Sequence, residues 1–333
     1  MRYWAFPLLT STLFISFLTS MVLGSVRFSA DAVLLHIVGY QQHSSLLGAV
    51  IDLRLVRSLT ALITGASLGV AGSLLQSLFR NPLADPYILG ISSGSSLAIA
   101  ATLVLGLGLG LVQSYDPYSL YMAGALGAAA TSVLVILLSS LMRTYIGLVL
   151  AGVMLGYLNA GLTTLIIYTS EIEIVRAFYF WTFGTFSSAK WSLIEAVFPL
   201  TVGGFVAAFM LAKPMNAIAF GDEIASSMGV WIRGARVAIV TAASSIVSAA
   251  TVLSGAVGFI GLAAPHIARL TAGTADNRVI IPLSALAGAT IAIISDVAAR
   301  NLMTPLDLPV TAITSIFGAP LIILLLMRRG RRL

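Results

Sequence analysis

Long apolar runs separated by short polar turns set the pattern of this chain. The first covers 3–26, and others centre near 59–79, 88–112, 118–142, 146–169, 191–212, 234–256, 258–272, 279–298 and 310–327. A helix needs about 20 apolar residues to cross a bilayer. The pattern therefore predicts an all-α polytopic membrane protein with about ten transmembrane helices, 258–272 being short enough for a half-span. No loop is long enough for a soluble domain, so residues 1–333 read as a single transmembrane domain. Arg2, an apolar run and Phe28-Ser29-Ala30-Asp31-Ala32 also suit a cleaved signal peptide, but the length of the run favours a retained first span.

Composition narrows the class. The chain is 59% hydrophobic and 9% charged, with a mean hydropathy of +1.02; soluble domains carry roughly 25% charged residues. A soluble globular fold and disorder are both excluded. The net charge of +6 is scattered between apolar runs, which does not suit a nucleic-acid surface. Cysteine is absent, which removes disulfides, thiolate nucleophiles and Cys-based metal sites. With ten spans and a cytoplasmic N-terminus, twelve Lys and Arg residues fall inside and six outside. That bias places both termini in the cytoplasm and makes the chain a multi-pass protein of the cell membrane. The tail Arg328-Arg329-Gly330-Arg331-Arg332 reads as an anchor at the lipid surface.

Three stretches break the apolar pattern. Between the second and third runs, 80–96 reads RNPLADPYILGISSGSS; its aspartate and two prolines cannot face lipid, so it belongs at a membrane edge or against a polar cavity. The segment 213–236 carries charges too costly for the bilayer centre and so lies on the inner surface. Within it, Asp222 and Glu223 followed by Gly229 mark the start and stop of a short helix. That helix is either an interfacial element or a knob for a cytoplasmic partner. The outer loop 27–57 holds His36, His43, Asp52, Arg54 and Arg57. The two arginines, three apart, share a face if helical; they serve an acidic partner or pair locally with Asp52. The many glycines, as in Gly65, Gly69 and Gly72, suit close helix packing.

Energy-coupling chemistry is missing. The two lysines, Lys190 and Lys213, each follow alanine, so the chain has no phosphate-binding Gly-Lys-Ser/Thr. His36, His43 and His266 have no metal-ligand spacing, and no nucleophile–base arrangement stands out. Glu195, Asp296 and Asp307 fall near outer ends, and Asp296 and Arg300, four apart, can pair. The chain reads as a conduit powered from elsewhere.

The motifs Asn81-Pro82-Leu83-Ala84-Asp85-Pro86, Leu89-Gly90-Ile91-Ser92-Ser93-Gly94 and Leu150-Ala151-Gly152-Val153 resemble those of the FecCD family. Lys213-Pro214-Met215-Asn216, Gly258-Phe259-Ile260-Gly261-Leu262, Pro265-His266-Ile267-Ala268-Arg269-Leu270, Asp296-Val297-Ala298-Ala299-Arg300, Leu308-Pro309-Val310 and Gly318-Ala319-Pro320 continue the match. These are the permeases of type II ABC importers for iron–siderophores, haem and vitamin B12. The resemblance implies a homodimer around a central pathway, two cytoplasmic ABC ATPase subunits that bind ATP and magnesium, and an extracytoplasmic substrate-binding protein. This chain would hold no cofactor or metal and would not itself be an enzyme.

By the same resemblance, Asn81, Leu83, Tyr145 and Ile146 form a cytoplasmic gate, and the span 146–169 lines the pathway. Gly221, Asp222, Glu223, Ala225, Met228 and Gly229, in a coupling loop over about 213–233, meet the ATPase. Arg54, Arg57 and Arg300 meet acidic residues of the binding protein. The expected function is ATP-driven import of a metal chelate, with iron–siderophore the favoured cargo and cobalamin or haem as others. The alternative is an ion-coupled secondary transporter built on the broken segments 81–94 and 258–272. Sparse intramembrane carboxylates and the polar 213–236 loop weigh against it.

Overall fold

In lipid every backbone N–H and C=O must be satisfied within the protein, and helices do this locally. The computed structural model describes residues 2–24, 46–108, 117–142, 144–304 and 306–330 and meets that demand with helices, with no strand among those residues. The helices are α1 (Ala5–Val22), α2 (Leu46–Leu78), α3 (Ile91–Gly108), α4 (Pro117–Leu141), α5 (Tyr145–Tyr168), α6 (Ile172–Thr182) and α7 (Trp191–Met210). They continue with α8 (Ala212–Ile218), α9 (Asp222–Ser227), α10 (Ile232–Ser254), α11 (Ile260–Ala272), α12 (Asn277–Asn301) and α13 (Val310–Gly330). Each of the ten apolar runs forms one helix. Over the described residues, seven of these (α1, α2, α4, α5, α7, α10 and α12) are long and apolar enough to cross a membrane. Helix α11, at 13 residues, is about 20 Å long, the half-span its short run suggested.

Two differences from the sequence reading have physical causes. Helix α2 runs for 33 residues, so Asp52, Arg54 and Arg57 stand on it rather than in the loop assigned to 27–57. The apolar residues Leu53, Leu55 and Val56 let the helix continue past its charges. The part of that loop with Asp31, His36 and His43 lies outside the described residues, as do the side chains of the arginine tail. Helix α6 was not anticipated; Ile174, Phe178 and Trp181 point inward from it at helical spacing while Arg176 and Phe180 face out.

Helix α2 is the axis of the bundle. Over an apolar 18-residue stretch of Gly48–Leu78, 83% of the residues are buried, against 17% over such a stretch of α5. Three glycines on one face of α2 make this possible. A Cβ on Gly65, Gly69 or Gly72 would sit 2.3, 2.2 and 1.8 Å from the carbonyl oxygens of Gly288, Ser284 and Gly261. Backbones of α2, α11 and α12 therefore touch directly, which is how helices gain packing energy where lipid supplies no hydrophobic drive.

Two irregular segments meet inside the bundle. After the turn at Asn81–Leu83 the chain re-enters, and Asp85 caps a short 3-10 turn, Pro86–Leu89, by accepting from Tyr87 N at 2.8 Å. Gly90 (φ +77) ends that turn against Gly152 and Gly156 of α5, about 10–17 Å in from the start of α5 at 1.5 Å per residue. Across the interior, Gly255–Phe259 breaks the chain between α10 and α11. The breaks are sealed to each other and to α13: Val257 N donates to Tyr87 Oη at 3.3 Å, and Thr311 and Thr314 donate to Ala256 O and Gly258 O at 2.7 and 3.0 Å. Phe259 carries a positive φ of 77°, and its ring fits only because Gly318 has no side chain. Irregular backbone at this depth is tolerated because protein groups satisfy it. RNPLADPYILG is thus an edge turn followed by a re-entrant break.

Candidate functional sites at the two ends of the bundle

Consecutive spans alternate in direction, so polar groups gather at two ends. The first end holds the start of α1, where Arg2 N donates to Ala272 O at 2.9 Å, together with the segments at 80–83 and 211–231 and with Met142 and Thr144. Its frame is a polar knot. Asn216 Nδ2 donates to Asp276 Oδ1 at 2.6 Å, Asn277 N and Nδ2 donate to Asn216 Oδ1 at 2.8 and 2.9 Å, and Ser77 Oγ donates to Asn277 Oδ1 at 2.9 Å. Arg278 donates to Asp276 and, with Asn216, holds its carboxyl down at about 2. The knot therefore stays charged at physiological pH and ties α8 to the ends of α2 and α12.

On this frame sits α9, the short helix expected after Gly221. Acidic Asp222 and Glu223 occupy its first turn, where the helix dipole favours them. Ala225 is fully buried and anchors it, while Ile224 (51%) and Met228 (64%) are exposed and flanked by exposed Phe220 (70%) and Trp231 (77%). An apolar patch beside charged groups at an end of the bundle is the kind of exposed surface that marks an interaction site.

Close by are the other predicted residues. Asn81 Oδ1 accepts from Leu83 N at 2.9 Å, and both residues are exposed. Thr144 Oγ1 accepts from Gly147 N at 3.1 Å and starts α5, which leaves Ile146 exposed. Tyr145 turns toward α9 and donates to Asp222 Oδ1 at 2.9 Å. Tyr145, Ile146, Gly221, Asp222 and Glu223 line a single cavity of about 490 Å³, together with Arg80. The structure brings the expected gate and coupling residues into one neighbourhood; Arg80 and Arg236, which join them there, were read from sequence only as topology charges.

At the opposite end the three predicted arginines also converge, around a cavity of about 420 Å³ that includes Asp307. All three are engaged within the chain. Arg54 Nη1 donates to Met21 O and Val22 O at 3.0 and 3.3 Å, capping the last turn of α1. Arg57 donates to Asp296 Oδ1 and Asp307 Oδ2, both at 2.8 Å. Arg300 Nη2 donates to Ser20 Oγ at 2.9 Å, and its Nε lies 3.0 Å from Asp296 Oδ2 without the alignment of a hydrogen bond. The pairing of Asp296 with Arg300 is the one their spacing suggested. Among the described residues no cluster of three or more His, Asp or Glu could hold a metal ion.

A bundle of long apolar helices with two sealed internal breaks defines the class as a multi-pass membrane protein. The chain belongs to the FecCD transport family, whose model matches residues 12–328, and so is a permease of the type II ABC importers. It is 33% identical to the uncharacterised ABC transporter permease protein YvrB of Bacillus subtilis (strain 168), across 99% of this chain and 95% of that one. It is 34% identical to the hemin transport system permease protein HmuU of Yersinia pestis, across 84% of this chain and 83% of that one. It is also 34% identical to the vitamin B12 import system permease protein BtuC of Escherichia coli, across 84% of each chain. A solved inward-facing structure assigned to the metal-chelate type of ABC transporter superposes with a TM-score of 0.83 at 28% identity, covering 96% of this chain and 97% of that one.

Proposed function

We propose that this chain is the pathway-forming subunit of an ATP-driven importer for a metal chelate, an iron–siderophore, haem or cobalamin, working as a homodimer. Two ATPase subunits bind at the α9 end and carry the ATP and magnesium; a substrate-binding protein docks at the Arg54–Arg57–Arg300 end. The α9 end, with both termini, faces the cytoplasm. The observation that carries this reading is the exposed patch of Phe220, Ile224, Met228 and Trp231 around α9, beside the residues proposed to gate the pathway. Family membership and the cargoes named for the hemin and vitamin B12 relatives support the choice of substrate class.

In this mechanism nucleotide-driven closure of the ATPases displaces segment 221–229. The displacement resets a gate formed by Asn81, Leu83, Tyr145 and Ile146, so the pathway opens to one side at a time. Exposed α5 lines that pathway across the dimer. At the other end Arg54, Arg57 and Arg300 gather with Asp307 around one cavity, and acidic lobes of a binding protein dock over it.

The test is reconstitution in vesicles with the cognate ATPase and binding protein, using ferric siderophore, haemin and cobalamin as cargoes. ATP-dependent uptake of one of them is expected, and Ile224→Asp with Met228→Asp should abolish ATPase association while leaving the permease folded. Uptake driven by an ion gradient through this chain alone would overturn the reading in favour of a secondary carrier.

A further inference from the structure

Helix α2 ends in a turn that normally calls for glycine. Asn81 N donates to Gln76 O at 3.1 Å and Arg80 N to Ser77 O at 3.3 Å, the paired bonds of a Schellman cap. Helix α9 ends the same way, with Val230 N donating to Ala225 O at 3.0 Å and Gly229 N to Ser226 O at 2.9 Å. The middle residue of such a cap takes a positive φ. Gly229 supplies it at 84°, whereas at the end of α2 Arg80 adopts 49°. A residue with a Cβ is strained there and glycine is not, so the two caps differ in one respect only: Arg80 has a side chain.

That side chain reaches α9. Arg80 Nη2 donates to Asp222 Oδ1, and its guanidinium carbon lies 5.5 Å from the centre of the Tyr145 ring. Tyr145 Oη donates to the same oxygen at 2.9 Å. From α10, Arg236 stands 4.3 Å from the Tyr145 ring centre, places Nη2 3.9 Å from Asp222 Oδ2, and donates through Nη1 to Met142 O at 2.8 Å. One carboxylate on α9 thus meets the end of α2, the first residue of α5 and an arginine of α10.

The members differ in freedom. The side chain of Arg236 is 7% exposed and fixed to the turn before α5, whereas those of Arg80 and Asp222 are each 39% exposed. An ion pair so open to water adds little stability and can break and re-form. Its position is what matters: Arg80 directly precedes Asn81, whose side chain bonds Leu83 N, so a pull on Arg80 moves that turn as one piece.

We propose that Arg80 is the positioning residue that transmits displacement of α9 to the Asn81–Leu83 turn and Tyr145, with Asp222 as its handle. The proposal rests on the reading of 221–229 as the ATPase-coupling segment.

The native chain has no cysteine, so a spin label can be placed at one site at a time. Leu83→Cys reports the turn and Ser227→Cys reports α9, each in the assembled complex with its ATPase and a non-hydrolysable ATP analogue. Both labels should respond to nucleotide in the parent. In an Arg80→Gly background, which suits the backbone of the cap, the label at 227 should still respond. The response at 83 should collapse, and transport per ATP hydrolysed should fall about tenfold, a typical coupling between two sites. Arg80→Lys keeps the charge but loses the planar group over Tyr145 and should fall between the two. A full response at 83 together with undiminished transport in Arg80→Gly overturns the proposal. A label at 227 that ignores nucleotide in the parent sinks instead the coupling reading on which it rests.

Discussion

At one end of the bundle Asp296 lies between Arg57 and Arg300 with its side chain 0% exposed; at the other, Asp222 lies between Arg80 and Arg236 with 39% exposed. The residue types match and the energetics do not. A buried charge has been stripped of water and depends on its partners, so losing one partner leaves an uncompensated charge in low dielectric. An exposed charge regains water when its partner leaves, and the pair is worth little. The Asp296 cluster also pins α1 through Ser20, α2 through Arg57 and α12 through its own helix. The same chemistry thus makes a clamp at one end and a releasable contact at the other, and only the second suits the moving part proposed for α9.

Asp296→Ala should give the largest effect. It leaves the Arg300 guanidinium, 9% exposed, without a carboxylate, and removal of one member of a buried pair costs about 3–5 kcal/mol. Denaturant or thermal unfolding of the detergent-purified protein measures this; a loss no larger than for Asp222→Ala would erase the distinction between the ends. Gly72→Ala comes next. Its new Cβ would lie 1.8 Å from Gly261 O, backbone that cannot swing aside, and overpacking of this kind costs about 1–3 kcal/mol. The same unfolding measurement applies, and an unchanged midpoint would mean that α2 and α11 slide apart freely. At the end proposed to dock a binding protein, Arg300→Gln should weaken binding-protein affinity by about tenfold at low ionic strength and by less at high salt, as expected for a charged contact. Affinity measured on the folded fraction at two salt concentrations checks it; salt-independent affinity would remove Arg300 from the interface.

Much of the fold could be read from the sequence because apolar run length reports directly on spans, and glycine and proline report on breaks. Asp222, Glu223 and Gly229 announced α9 by the chemistry of its ends, and the four-residue spacing of Asp296 and Arg300 announced their pairing. Long-range partners carried no such signal. Arg54 bonds backbone carbonyls of α1, which no side-chain pattern encodes, and Arg57 bonds Asp307, 250 residues away. The amphipathic spacing of Ile174, Phe178 and Trp181 could have revealed α6, but it lay in the shadow of the longer run before it. Arg80 was missed for a different reason. Its role depends on a backbone angle, and only a structure distinguishes an arginine that replaces glycine in a helix cap from one that marks a cytoplasmic loop.

The smallest expected effect on stability is the most informative about the comparison. Arg80→Gly removes an exposed ion pair, worth about 0–1 kcal/mol. It also relieves a positive φ that favours glycine, with some of that gain offset by the greater freedom of glycine in the unfolded chain. These contributions have opposite sign and similar size, so unfolding stability should stay within about 1 kcal/mol of the parent. If Arg80 were a structural clamp like Arg57, stability and transport would fall together. If it is a transmitting contact, transport per ATP falls while the unfolding midpoint holds. Measured side by side on one purified complex, the two quantities separate a residue that holds the bundle together from one that passes motion through it.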